Sequence, residues 1–149
     1  MNNVKICTAA QTGNLEEVKN LIREGADVSI SNDDAIYYAT IFGHAEVVKL
    51  LLENGANKEA HDSYLLIDAI EYEQTEVVEV LIEAGVDVTA HDNYALCAAV
   101  VRGDVNIVKM LLNVGADVNV RDNYAICYAA RNGNWRMLEV LLEAWKNKE

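Results

Sequence analysis

The chain contains no proline, so no ring fixes φ or removes a backbone N–H, and a helix anywhere along it meets no obligatory kink. Cysteine is scarce: Cys7, Cys97 and Cys127 are odd in number and far apart, which excludes a disulfide framework and points to a reducing, cytoplasmic setting. No apolar run approaches the roughly 18 residues that span a bilayer. The start, Met1-Asn2-Asn3-Val4-Lys5, lacks a charged segment followed by an apolar one, so no secretory signal is expected. Basic residues are few, 12 against 24 acidic ones, for a formal net charge of −12. That balance argues against nucleic acid and anionic membranes as partners, because phosphate contacts need Lys and Arg clusters. A basic or neutral protein surface suits it better.

What is present is apolar residue in quantity. At 52% hydrophobic and 24% charged, the composition is that of a folded globular chain. Its 149 residues suffice to bury a core.

The apolar residues recur on a ruler of 30. Gly25-Ala26-Asp27-Val28 returns as Gly55-Ala56-Asn57-Lys58, Gly85-Val86-Asp87-Val88 and Gly115-Ala116-Asp117-Val118. One column is alanine in every row (Ala9, Ala39, Ala69, Ala99, Ala129) and another is leucine (Leu21, Leu51, Leu81, Leu111, Leu141). The rows run at about 1–30, 31–60, 61–90, 91–120 and 121–149 and use up the chain as one domain, 1–149.

Each row reads as two short helices. The second carries apolar residues at helical spacing, as in Val47-Val48-Leu51-Leu52, and stops at the Gly of the recurring tetrad. A turn precedes it at Gly13, Gly43, Glu73, Gly103 and Gly133, and of the residues that follow, Asn14, Asp104 and Asn134 are good N-caps while His44 and Gln74 are not. The first helix is announced by Asn3, Asp33, Ser63, Asn93 and Asn123, read as its N-caps. The alanine column permits helices to approach at ~8–10 Å, and the leucine column supplies a core shared by neighbouring rows.

These residues resemble the ankyrin repeat family over essentially the whole chain. The likeness lies in Gly43-His44-Ala45-Glu46-Val47-Val48-Lys49-Leu50-Leu51-Leu52-Glu53-Asn54-Gly55-Ala56-Asn57 and again in Gly103–Asn119. It implies an all-α solenoid of five helix–turn–helix repeats. Two departures stand out: the fingers between repeats are three residues short of the family's usual period, and Tyr94-Ala95-Leu96-Cys97 and Tyr124-Ala125-Ile126-Cys127 replace its Thr-Pro-Leu-His. Cys97 and Cys127 are then expected as small buried residues in place of the family's histidine. Short Tyr-Ala-Leu repeats are similar to those of ankyrin proteins of large DNA viruses of amoebae. The resemblance implies a module that binds another protein, not an enzyme.

The residues offer little chemistry against that reading. His61 and His91 share a column, each followed by Asp, but a stable zinc site wants three or four ligands. A ladder of basic and acidic side chains along the fingers accounts for them better. Neither metal nor cofactor is expected. Asn119 matches the finger asparagine that asparaginyl hydroxylases modify in the family, so a modification substrate is the alternative function. A self-assembling structural protein is another, and there Trp135, Met137 and Trp145 are the feature to watch. The expected arrangement is a monomer, with the two tryptophans folded over the open end as a lid.

The binding candidates come from helix geometry. On the first helix, the columns two and one before the turn glycine share a face with the column five before it. These columns vary from row to row while the core columns do not. The residues selected are Tyr38, Ile41 and Phe42; Asp68, Glu71 and Tyr72; Val101 and Arg102; Tyr128 and Arg131. By the resemblance they line a concave groove, and the middle of the strip is unusually apolar and aromatic for an exposed face.

Overall fold

The computed structural model describes residues 2–147, with the backbone alone for residues 30–32. It falls into two compact units, Met1–Val86 and Asp87–Glu149. Both are built from paired helices, and the described residues contain no strand. In unit 1, α1 (Asn2–Gln11), α3 (Ile30–Ile41) and α6 (Leu65–Glu71) are the first helices of their rows. Their second helices are α2 (Leu15–Arg23), α4 (Ala45–Glu53) and α7 (Thr75–Glu83), and one short turn, α5 (Ala60–Ser63), precedes α6. Unit 2 has first helices α8 (Ala90–Arg102) and α10 (Val120–Arg131) and second helices α9 (Val105–Asn113) and α11 (Trp135–Lys146). First helices pack on first helices (α1 on α3, α3 on α6, α8 on α10). Second helices pack on second (α2 on α4, α4 on α7, α9 on α11).

The core follows the columns. All five alanines and all five leucines are buried, as are Val18, Val48, Val78 and Val108. The second helices end as glycine at C′ requires. In α2 the Gly25 N–H donates to the Ile22 carbonyl and the Ala26 N–H to that of Leu21, with Gly25 at φ 85°. This double bond pattern satisfies two carbonyls that the helix end would otherwise leave open. Gly55, Gly85 and Gly115 repeat it. In the last row Trp145 occupies that position, and the helix runs on to Lys146.

The turn residue Glu73 has φ 59°, in the left-handed region where its four counterparts are glycine. A residue with Cβ held there costs about 1 kcal/mol or more, against ~0.4–1 kcal/mol of unfolded-chain entropy that a glycine adds. Glu73→Gly is therefore expected to raise the urea midpoint slightly; a clear fall would contradict the strain.

Two columns read as caps do different work. Asn14, Asp104 and Asn134 cap as expected: Asn14 Oδ1 accepts from the Glu17 N–H, Asp104 Oδ1 from those of Asn106 and Ile107, and Asn134 Oδ1 from that of Met137. His44 and Gln74 reach back instead to the preceding row. His44 Nε2 lies 3.0 Å from the Gln11 carbonyl, and Gln74 Nε2 donates to that of Ile41 at 3.2 Å. The residues expected to cap the first helices are not caps. Asp33, Ser63, Asn93 and Asn123 have positive φ, whereas an N-cap sits in the extended region. In rows 3 to 5 they close a three-residue left-handed turn: His61-Asp62-Ser63, His91-Asp92-Asn93 and Arg121-Asp122-Asn123, with φ between 52° and 65°. Asn, Asp and His tolerate that region better than most residues, which explains the column's composition.

The side chains of this column act as latches across 24 residues. Asn3 Oδ1 accepts from the Asp27 N–H, Asp33 Oδ1 from the Asn57 N–H at 2.9 Å, and Asn93 Oδ1 from the Asp117 N–H at 2.7 Å. Each ties a row's entry turn to the loop that leaves the same row. Asp33 and Asn93 are buried, so the orphaned partner would be costly. Asn93→Ala is expected to cost about 1–3 kcal/mol in urea melts. Asn93→Gly, free of the left-handed penalty, should recover part of that loss; equal losses would mean that the bond alone matters.

Met137 is fully buried, in the column of Val47, Val77 and Ile107, all likewise buried. Trp135 is 72% exposed. The lid expected from the two tryptophans is thus not formed by Trp135, although its counterparts Leu15, Ala45 and Val105 are half-buried. No helix among the described residues is long and apolar enough to cross a membrane.

Candidate functional site

In unit 1 the selected residues occupy the C-terminal turns of α3 and α6. The spacing i, i+3, i+4 puts Tyr38, Ile41 and Phe42 on one face, and Asp68, Glu71 and Tyr72 on another. Phe42 and Tyr72 are each the residue that ends its helix, and their backbone N–H groups bond back to the Tyr38 and Asp68 carbonyls. The two residues are 50% and 55% exposed. Tyr38, Ile41 and Asp68 are half-buried and Glu71 is exposed. Directly beneath, Ala39, Ala69 and Ile70 are buried, so rigid core holds the exposed rings from below.

Tyr37 was not among the candidates, yet it is the residue on which the local aromatic group turns. Its ring meets Tyr38 edge-on at 5.5 Å between centroids, and the His61 imidazole stacks on it at 4.3 Å and 22°. Burial first, then Asp68, Tyr72 and Tyr38, push its hydroxyl above the usual tyrosine range. The sequence signal was the doubled tyrosine at 37 and 38; the column it falls in holds Cys7, Ile67, Cys97 and Cys127 elsewhere, which disguised it as core. Asp68 is likewise pushed up, by desolvation and then by Glu71, with His61 acting the other way. His61 Nε2 is screened from solvent and lies 3.9 Å from Asp34 Oδ1.

In unit 2 Val101 and Arg102 are exposed at the end of α8, Arg131 is exposed at the end of α10, and Tyr128 is half-buried. Tyr128 tilts against Tyr124 at 5.8 Å. Arg121 donates to the carbonyls of His91 and Asp92 at 2.9 and 3.1 Å, and its guanidinium lies 5.5 Å from the Tyr94 ring centroid. The expected finger ladder is therefore partly one of side chain to backbone, since left-handed turns leave carbonyls facing the next row.

Among the described residues no three His, Cys, Asp or Glu side chains are placed to hold a metal. Cys97 is buried, but Cys127 is exposed, which corrects the expectation that both pack inside. Burial pushes the Cys97 thiol up, and burial and then Asp34 do the same for Cys7; neither favours the thiolate that nucleophilic chemistry needs. Asn119 is exposed, and its N–H donates to Asp117 Oδ1.

The comparison with protein families finds one whose model, described as ankyrin repeats (3 copies), matches residues 6–92 and 66–149. No curated protein matches the chain.

Proposed function

The chain belongs to the ankyrin-repeat family, whose repeats are in general protein–protein interaction modules, and from that premise we propose that it binds a partner protein through the exposed face of its first helices. The observation that carries this reading is the pair of half-exposed rings, Phe42 and Tyr72, at the ends of adjacent helices whose inner faces are fully buried. Large apolar side chains on a rigid base lose little conformational entropy on contact and exclude water well. Tyr38 and Ile41 extend the patch, and Asp68 and Glu71 rim it. In unit 2 Val101, Arg102, Tyr128 and Arg131 offer a second, basic patch on the corresponding helices. Catalysis plays no part in this reading; ankyrin-repeat proteins are typically non-enzymatic scaffolds.

The test is positional. A photoreactive amino acid at Phe42 is expected to cross-link the partner captured from cells. The same group at Glu53, on the second helix, is expected to leave it uncrosslinked. The reverse pattern would move the contact to the second helices and sink the proposal.

A further inference from the structure

We propose that a second copy of this chain docks on the outward face of row 5, where α10 and α11 leave Cys127, Ala130, Leu142 and Trp145 exposed, so that two copies pair through unit 2 about a twofold axis. This face is distinct from that of Phe42 and Tyr72, and the proposal does not depend on the reading of the latter. The monomer expected from the sequence assumed that the tryptophans close this face, and Trp135 does not.

Within each unit a row turns one face to the row before it and another to the row after it. The second face is built from nearly apolar columns. That of Ala130 holds Ala10, Thr40, Ile70 and Val100, none more than 2% exposed, and that of Leu138 holds Val18, Val48, Val78 and Val108, all fully buried. In row 4 the face is covered, because α8 packs on α10 and α9 on α11. Row 5 carries the same residue types, yet Cys127 and Ala130 are exposed, Ile126 and Leu138 are half-buried, and Leu142 and Trp145 are in good part open to water. Leu138, Leu142 and Trp145 follow i, i+4, i+7 and so share one side of α11. A repeat whose outer face meets water is ordinarily polar there. Row 5 is not.

Row 1 shows how this sequence treats a face that stays in water. On the side that rows turn to their predecessors, Ala35, Leu65, Ala95 and Ala125 form one buried column, and Val47, Val77, Ile107 and Met137 another. Row 1 places Lys5 and Glu17 in those columns, and both are exposed. Stacking row 1 of one copy on row 5 of another would take both charges out of water, which opposes head-to-tail growth. A twofold pairing sets row 5 against row 5, apolar on both sides.

Charge selects the same face. The chain carries −12 overall, and row 3 holds eight acids with neither Lys nor Arg, so two copies repel across much of their surface. The described residues of row 5 are nearly balanced, with Arg121, Arg131, Arg136 and Lys146 against Asp122, Glu139 and Glu143. Both signs flank the apolar stripe of α11. With two such helices antiparallel and crossing at Leu142, Leu138 of one copy falls within one residue of Trp145 of the other. Glu139 likewise falls within one residue of Lys146, so the face is self-complementary in shape of sequence and in charge.

Sedimentation equilibrium of the 149-residue chain, from about 1 to about 300 µM, is expected to show a mass that rises from 16.5 kDa and levels at twice that value. Leu142→Glu should raise the dissociation constant about tenfold or more, since an apolar anchor gives way to a charge. It should melt with wild type at about 1 µM, where both are monomers. Ala130→Arg, at an exposed position on α10, tests the same face should Leu142→Glu fold poorly. Phe42→Ala with Tyr72→Ala should pair as wild type does. Cys127 supplies a local readout: its rate of reaction with a maleimide should fall as wild type associates and stay constant in Leu142→Glu. A mass fixed at the monomer, growth past the dimer, or equal pairing by the folded row 5 variants would overturn the proposal. Loss of the dimer in the Phe42/Tyr72 variant, or a Cys127 equally reactive in the dimer, would do the same by placing the contact elsewhere.

Discussion

Phe42→Ala combined with Tyr72→Ala is expected to weaken the captured partner at least ~30-fold while leaving the protein folded. Aromatic side chains at the centre of a contact commonly cost about 2 kcal/mol or more when truncated, and every 1.4 kcal/mol is roughly tenfold. Because both residues are already about half exposed, truncation removes little folded-state burial. The bonds that end the helices run from the backbone N–H groups of residues 42 and 72, which alanine retains. The double variant should accordingly melt within a few degrees of wild type. Glu53→Ala with Glu83→Ala, on α4 and α7, should leave affinity nearly unchanged at physiological salt, where distant charge is screened beyond ~8 Å. Measuring all three proteins at two salt concentrations by surface plasmon resonance separates contact from steering. Full binding by the folded Phe42/Tyr72 variant would refute the contact face.

Leu51→Ala is expected to cost about 2–5 kcal/mol, and Leu21→Ala less. Leu51 is fully buried on α4, which packs against α2 on one side and α7 on the other. Removing its isobutyl group therefore leaves a cavity walled on both sides, and helices fixed between neighbours collapse into such a space poorly. Leu21 stands on α2, which packs against α4 among the second helices of unit 1, so part of its surroundings can relax. Urea unfolding of the two variants beside wild type checks the order. A Leu21→Ala loss larger than that of Leu51→Ala would mean that stability does not accumulate through stacking of rows, against the expectation for repeat architectures.

Much of this protein was legible without coordinates, because each feature concerned depends on residues close in sequence. The tetrads at Gly25, Gly55, Gly85 and Gly115 announced their helix ends, since a left-handed C′ residue is decided by a handful of local backbone bonds. Asn14, Asp104 and Asn134 announced caps that close over three residues. The alanine and leucine columns announced the core because one helical face repeats at a constant step. Local signals failed where the partner lies in another row. Within a single row too a distant partner hides the role: Asn3, Asp33 and Asn93 are cap-forming residue types, yet they latch N–H groups 24 positions away in their own rows, and nothing in a short window distinguishes the two uses. The left-handed turns at 61–63, 91–93 and 121–123 were invisible for the same reason: such strain persists only where the surrounding structure fixes it, as the Asn93 latch does for its turn. His44 and Gln74 looked like weak caps because their acceptors, the Gln11 and Ile41 carbonyls, belong to the row before. Cys127 looked like core and Trp135 like a lid, since periodicity assigns a residue to a face but cannot say what covers that face. The sequence by itself thus determined the repeat, its helices and its core; contacts between residues far apart in sequence decided which polar side chains became latches, which aromatic rings gathered at Tyr37, and which stayed in water.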